Sequence, residues 1–125
     1  MNSTAILFGV LFIYVAYWLY NYAMDSQHRI SSETAKKLLD AKQFDAILDV
    51  RTALERNTLG FYPGSVHIAS QELQTKIPAL YPNKSVRILV YCNTGQRARA
   101  ATEILHGMGY TNAVYIASGH TSIMS

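Results

Sequence analysis

The first charged side chain in this chain of 125 residues is Asp25: all eleven Lys and Arg and all eight Asp and Glu lie from there onward. The charge-free stretch from Thr4 to Met24 reads TAILFGVLFIYVAYWLYNYAM. As a helix its 21 residues reach about 30 Å, the thickness of a bilayer core. It is apolar all round, so it does not read as the one-sided face of a small soluble domain. Tyr14, Tyr17, Trp18, Tyr20 and Tyr22 crowd its second half, and such amphipathic rings favour the headgroup layer. A cleaved secretion signal would carry a basic start and a small-residue cleavage site. Met1-Asn2-Ser3 has no basic side chain, and no such site follows the run. A buried core helix is the other alternative, and the run is long for one. The sequence is therefore expected to divide into a membrane anchor over residues 1–24, with the lipid bilayer as partner of residues 4–24, and a folded domain over residues 25–125.

Nothing basic precedes the span, whereas Arg29, Lys36, Lys37 and Lys42 follow it. Lys and Arg concentrate on the cytoplasmic side, which makes this a single-pass arrangement with the C-terminal domain in the cytoplasm. A single cysteine cannot make an internal disulfide and agrees with a reducing compartment. The spacer Asp25-Ser26-Gln27-His28 is short, so the domain rides close to the bilayer, where its basic residues can meet anionic lipid. The net charge is only +3 and no block of like charges occurs, which gives no footprint for nucleic acid.

Residues 25–125 suffice for one small core. Ser31-Ser32-Glu33 reads as a helix start with Ser32 as N-cap, and the helix ends near Gln43. Ala46 to Val50 is a short apolar run suited to a buried strand. Thr52 to Asn57 reads as a helical turn, and Gly60, Pro63 and Gly64 break the chain after it. Val66 to Ile68 is a second strand, Gln71 to Leu80 a helix limited by Pro78, Arg87 to Tyr91 a third strand. Ala98 to Met108 is a helix stopped by Gly109, and Ala113 to Ile116 a last strand. Short apolar strands alternating with helices argue an α/β fold: a parallel sheet flanked by helices on both faces, here preceded by one transmembrane helix. In such sheets, sites lie beyond the carboxyl ends of strands.

Cys92 sits at such an end. Arg87 to Tyr91 runs into Cys92-Asn93-Thr94-Gly95-Gln96-Arg97 and then into the helix. A loop this tight can turn successive N–H groups inward, and the helix N-terminus adds its own, which favours the thiolate. Gly95 supplies backbone freedom; Asn93, Thr94 and Gln96 are polar and can face the pocket; Arg97 offers a fork of donors for an oxyanion. A sulfur nucleophile ringed by donors can attack, and the ring can hold the negative charge of a covalent product.

Several motifs in this order resemble the rhodanese-like domain family over about residues 28–125. Leu48-Asp49-Val50-Arg51 matches its strand ending in Asp-Val-Arg; Gly60 to Ile68 is similar to its G-H-I-P-G-A-x-N-I stretch; Val90 to Ala98 matches its C-x-x-G-x-R loop; Leu105 to Tyr110, ending Met108-Gly109-Tyr110, resembles the L-x-x-x-G-Y helix end. The resemblance implies a sulfurtransferase. Cys92 would take sulfane sulfur from thiosulfate or a persulfide, carry it as a persulfide cradled by the loop, and hand it to cyanide or a thiol, with no metal and no cofactor. Asn93, Thr94, Gly95, Gln96 and Arg97 become the substrate-binding loop, with Asp49 and Arg51 as a supporting ion pair on the neighbouring strand.

The family commonly carries two glycines and a further helix after the last strand. Here Ala117-Ser118-Gly119-His120 has one glycine and the sequence given stops at Ser125, so a pocket wall supplied by a protein partner near this end is an expectation. Phosphatases and arsenate reductases of this fold need Cys-x5-Arg, a loop one residue longer. That position is Ala98, which argues against the wider nest a tetrahedral oxyanion requires. A non-catalytic docking module at the membrane is the remaining alternative, and it usually lacks the cysteine. His28, His67, His106 and His120 match no zinc spacing. His120 is expected in an exposed tail, and Glu55 shows no partner from sequence.

Overall fold

Four short strands make one parallel sheet in a computed structural model that describes residues 3–124, without the side chains of residues 21–26. Met1, Asn2 and Ser125 of the expected anchor and domain, and the place of Tyr22 in the aromatic belt, lie outside the described residues. The strands are β1 (Ala46–Asp49), β2 (Val66–His67), β3 (Ile88–Tyr91) and β4 (Ala113–Tyr115), in the order β2-β1-β3-β4. Leu48 pairs with Val66 on one side and Val90 on the other, and Val90 pairs in turn with Tyr115. The short pairing Arg29 to Tyr115 extends the β4 edge: Ile30 N donates to Tyr115 O at 2.9 Å and Tyr115 N to His28 O at 3.1 Å.

The α/β class read from the strand and helix pattern holds, with helices on both faces. Period-two alternation sends Ile88 and Val90 to one face and Leu89 and Tyr91 to the other. On the first face α4 (Leu73–Leu80) and α5 (Gln96–Gly107) bury Leu73, Ile77, Ala98, Ala101 and Leu105 against the sheet. On the second, α2 (Ser32–Asp40) and a 3-10 turn at His120–Ile123 bury Ala35 and Ile123. Each buried Leu or Ile of these layers contributes about 2 kcal/mol of hydrophobic stabilisation.

Local chemistry ends the helices. Ser31, not Ser32, caps α2, its hydroxyl accepting from Thr34 N, and α2 stops at Asp40. Helix α3 (Ala53–Leu59) begins in a capping box between Thr52 and Glu55 and runs two residues beyond the expected turn. Helix α5 closes in a Schellman motif: Tyr110 N donates to Leu105 O and Gly109 N to His106 O, Gly109 has φ +99, and Leu105 and Tyr110 are both buried in one core.

The N-terminal helix α1 spans Ser3–Gln27, continuing through Asp25, Ser26 and Gln27 of the expected spacer. Its segment Ser3–Tyr20 has a mean hydropathy of 1.7, and Ile6 to Tyr20 keep their large apolar side chains exposed rather than in the domain core. Length and composition suffice for one crossing of a membrane.

From β1 the chain moves outward to β2, then returns to the other side of β1 as β3. That reversal opens a crevice beyond the carboxyl ends of β1 and β3, the place where parallel sheets hold their sites.

Candidate active site

Asp49 and Tyr91 are register partners at the carboxyl ends of β1 and β3, and the chain continues from them into Arg51 and Cys92. Cys92 is a free, buried thiol only 1% exposed. Two backbone donors converge on its sulfur: Gly95 N at 3.1 Å and Ala98 N at 3.4 Å. Both come from the start of α5, where N–H groups have no partner within the helix. Gly95 turns the loop with φ +95, a left-handed conformation natural to glycine. A Cβ there would lie 2.6 Å from Ala117 Cα, so the segment after β4 closes directly over the loop. That segment continues into the His120–Ile123 turn, and Ser118 and Ser122 bond the α2 hydroxyl of Ser32 at 2.6 and 3.0 Å. This side of the loop is thus walled by the chain itself.

Beneath the loop lies a buried ion pair. Asp49 and Arg51 are both 0% exposed. Arg51 Nε and Nη2 reach the two carboxylate oxygens at 2.9 Å each, Arg51 N donates at 3.0 Å, and Arg56 Nη1 and the Tyr91 hydroxyl donate at 3.1 and 3.2 Å. Burial pushes the Asp49 carboxyl up, but these donors, Arg51 foremost, outweigh it and hold it below its ordinary value. Among the described residues no buried side-chain nitrogen or oxygen lacks a partner. The rest of the Arg51 fork binds Gly60 O at 2.6 Å and Asn93 Oδ1 at 3.2 Å, which ties the ion pair to the cysteine loop.

The loop side chains divide. Thr94 and Gln96 are exposed. Asn93 does not aim its amide at the sulfur: it spans Arg51 and Glu55, donating from Nδ2 to Glu55 Oε2 at 2.6 Å. Arg97 lies in the first turn of α5, and its fork grips Glu55 with two bonds of 2.7 Å. The hydrogen bonds it donates to Glu55 hold the Arg97 guanidinium above its ordinary pKa, against the opposing effect of burial. Glu55 is correspondingly held well below the usual carboxylate range, first by Arg97 and then by the Thr52 N–H.

Glu55 and Arg56 are therefore site residues that the sequence reading passed over, Glu55 having shown no partner there. A usable signal was present: T-x-x-E directly after the Asp-Val-Arg strand predicts a capping box at the same sheet edge as the cysteine loop. The expected exposed tail at His120 is also not what forms. His120 is buried beside Tyr91, with ring centroids 6.0 Å apart, because the chain after β4 folds back onto α2. Burial lowers its pKa, as does the Arg51 charge, against an opposing pull from Asp49. The other histidines serve the scaffold: His67 Nε2 bonds Arg51 O at 2.7 Å, His106 Nε2 bonds Ala113 O at 2.8 Å, and His28 stacks on His106 at 3.7 Å.

A family model described as the rhodanese-like domain matches residues 31–122. The mouse thiosulfate sulfurtransferase/rhodanese-like domain-containing protein 3 is 30% identical over 95 residues, which cover 67% of this chain and 60% of that protein. The chain thus spans about three-fifths of the length of that curated relative. Among solved structures, the human single-domain sulfurtransferase TSTD1 is 25% identical with a TM-score of 0.65, covering 78% of this chain and 95% of that one. A rhodanese with anions from E. coli is 32% identical with a TM-score of 0.53, covering 62% and 89%.

Proposed function

The chain belongs to the rhodanese-like domain family, and from that premise we propose that it is a membrane-anchored sulfurtransferase working through a persulfide on Cys92. One observation carries the reading: a free thiol at a strand end with two backbone N–H groups aimed at its sulfur, at 3.1 and 3.4 Å. Donors fixed in a dry site cost nothing to reorganise when charge develops.

In the first half-reaction the Cys92 thiolate attacks the outer sulfur of thiosulfate or a persulfide. A new S–S bond forms, the donor's S–S bond breaks, and sulfite or a thiolate leaves with the electron pair. The Gly95 and Ala98 N–H groups hold the charge of the resulting Cys92 persulfide. In the second, cyanide or a thiol attacks the outer sulfur, and Cys92 leaves as thiolate. Asp49 and Arg51 act as positioning residues, bracing Asn93 and Gly60 on either side of the crevice. Helix α1 anchors the domain in a bilayer, residues 1–24 forming the anchor and residues 25–125 the domain, with the domain on the cytoplasmic side.

The test is intact-mass analysis of the full-length protein in detergent after incubation with thiosulfate. The expected result is a gain of one sulfur atom on Cys92, its loss with release of thiocyanate when cyanide is added, and neither in a folded Cys92→Ser variant. A folded wild type that gains no sulfur from thiosulfate or from persulfides sinks the enzymatic reading.

A further inference from the structure

Glu55 holds the side chains that a sulfur donor would need. Its carboxylate takes the Arg97 fork with two bonds of 2.7 Å and the Asn93 amide with one of 2.6 Å. Arg97 and Asn93 are the loop groups best suited to grip an anion, and both are already engaged by an internal carboxylate from α3. Glu55 Oε1 is anchored from the other side by Thr52 N and Thr52 Oγ1, each at 3.0 Å, so the capping box fixes where the carboxylate stands.

The charges around the crevice then balance. Arg51, Arg56 and Arg97 are positive. Asp49 pairs with the first two, Glu55 with the third, and the reactive Cys92 thiolate supplies the remaining negative charge. An incoming anion meets a nearly neutral cluster whose remaining attraction comes from backbone dipoles. Stripping water from an anion costs steeply more as its charge rises, while attraction to fixed dipoles grows only in proportion, so such a site accepts one negative charge far more readily than two.

We infer that Glu55 selects the sulfur donor by charge, favouring singly charged sulfane donors such as persulfides and thiosulfonates over dianionic thiosulfate. This rests on the sulfurtransferase reading and narrows its substrate class. Glu55 is a specificity residue that acts through Arg97 and Asn93, not a group that touches the reacting sulfur.

A matched pair of donors tests it. Methanethiosulfonate replaces one oxygen of thiosulfate by methyl and carries one charge fewer. The Cys92 thiolate takes the outer sulfur of either: from thiosulfate the leaving group is sulfite, from methanethiosulfonate it is methanesulfinate, each departing with the electron pair of the broken S–S bond. The measurement is the second-order rate constant for loading Cys92 in the full-length protein, wild type against Glu55→Gln. Glutamine keeps the shape and can still accept from Thr52 N, so the cap survives. The ratio of the thiosulfate rate to the methanethiosulfonate rate is expected to rise about tenfold in Glu55→Gln, the scale of one partly screened charge at close range. That gain should fade between about 20 and 300 mM salt, while the wild-type ratio barely moves.

A structural role alone would slow both donors together and leave the ratio unchanged, which overturns the inference while leaving the sulfurtransferase reading intact. If neither donor loads Cys92 in either protein, the reading and the inference fall together. Should Glu55→Gln not fold, the wild type decides alone: a thiosulfate rate that drops steeply with salt reveals a net attraction for the dianion and refutes the charge balance.

Discussion

Gly95 and Gly64 separate two costs that are usually confounded. Both have left-handed backbones, φ +95 and +86. A Cβ built on Gly64 meets nothing within 4 Å, whereas one on Gly95 stands 2.6 Å from Ala117 Cα and 3.0 Å from Ala117 O. Gly64→Ala therefore reports the conformational penalty alone. That penalty is about 1–2 kcal/mol, partly offset by the smaller entropy of the unfolded chain, for a net loss of about 1 kcal/mol. Gly95→Ala carries the same penalty and must also push Ala117 away. Going from 2.6 Å to the 3.4 Å at which ordinary contact begins is a retreat of about 0.8 Å by main chain, not by a yielding side chain. Overpacking of this kind costs about 1–3 kcal/mol more. In a domain of about 100 residues each kcal/mol lowers Tm by roughly 4–8 °C. The expected losses are about 5 °C for Gly64→Ala and about 15 °C for Gly95→Ala, read by thermal unfolding with proteolysis of the domain as the probe. Sulfur loading of Cys92 should slow in Gly95→Ala, because its N–H is one of the two on the sulfur, and stay near wild type in Gly64→Ala. Equal drops in Tm for the two variants would refute the claim that the segment after β4 closes on the loop.

Asp49→Asn leaves the buried Arg51 without its counter-charge and loosens Arg56. A loss of about 3–5 kcal/mol is expected by denaturant titration, and a change below about 1 kcal/mol would show that the pair does not brace the sheet edge. On acidification the domain should weaken in two stages. His28 is held below 6.5 by burial first and by His106, against Glu103, and His120 by burial and Arg51, against Asp49. The unfolded chain therefore binds more protons, and stability falls as pH drops through about 6.5, then levels off below the folded-state values. A second loss follows below the ordinary carboxylate range, where Asp49 and Glu55, depressed in the folded state, take up protons. Melting temperatures across about pH 2–8 check both stages, and His28→Gln should shrink the first. Protease added outside closed vesicles carrying the protein in its native orientation should leave the domain intact if it is cytoplasmic, and digestion from the outer side would reverse the charge argument.

What could be read from the sequence was what depends on neighbours along the chain. The apolar run Ile88 to Tyr91, the glycine after α5, and a cysteine where a buried strand gives way to a helix are local signals, and each names its own structural consequence. The partner of Arg97 is 42 residues away in sequence, so no spacing announces it. It is reached only once the register Asp49 to Tyr91 sets the ends of β1 and β3 side by side and α3 starts directly beyond β1. Arg97 read alone was a free oxyanion donor; in the fold its fork is shared with Glu55. His120 was misplaced for the same reason, since only the return of the chain onto α2 buries it. The division has a physical cause. Backbone donors at a turn are generated locally by the turn itself, so the cradle of Cys92 is written into Cys92 to Ala98. Side-chain charge acts through space, so its sign at the sulfur is a property of the assembled sheet edge. A loop motif can thus present the cysteine and its backbone donors, while the carboxylate that grips the loop arginine comes from another element and becomes visible only in three dimensions.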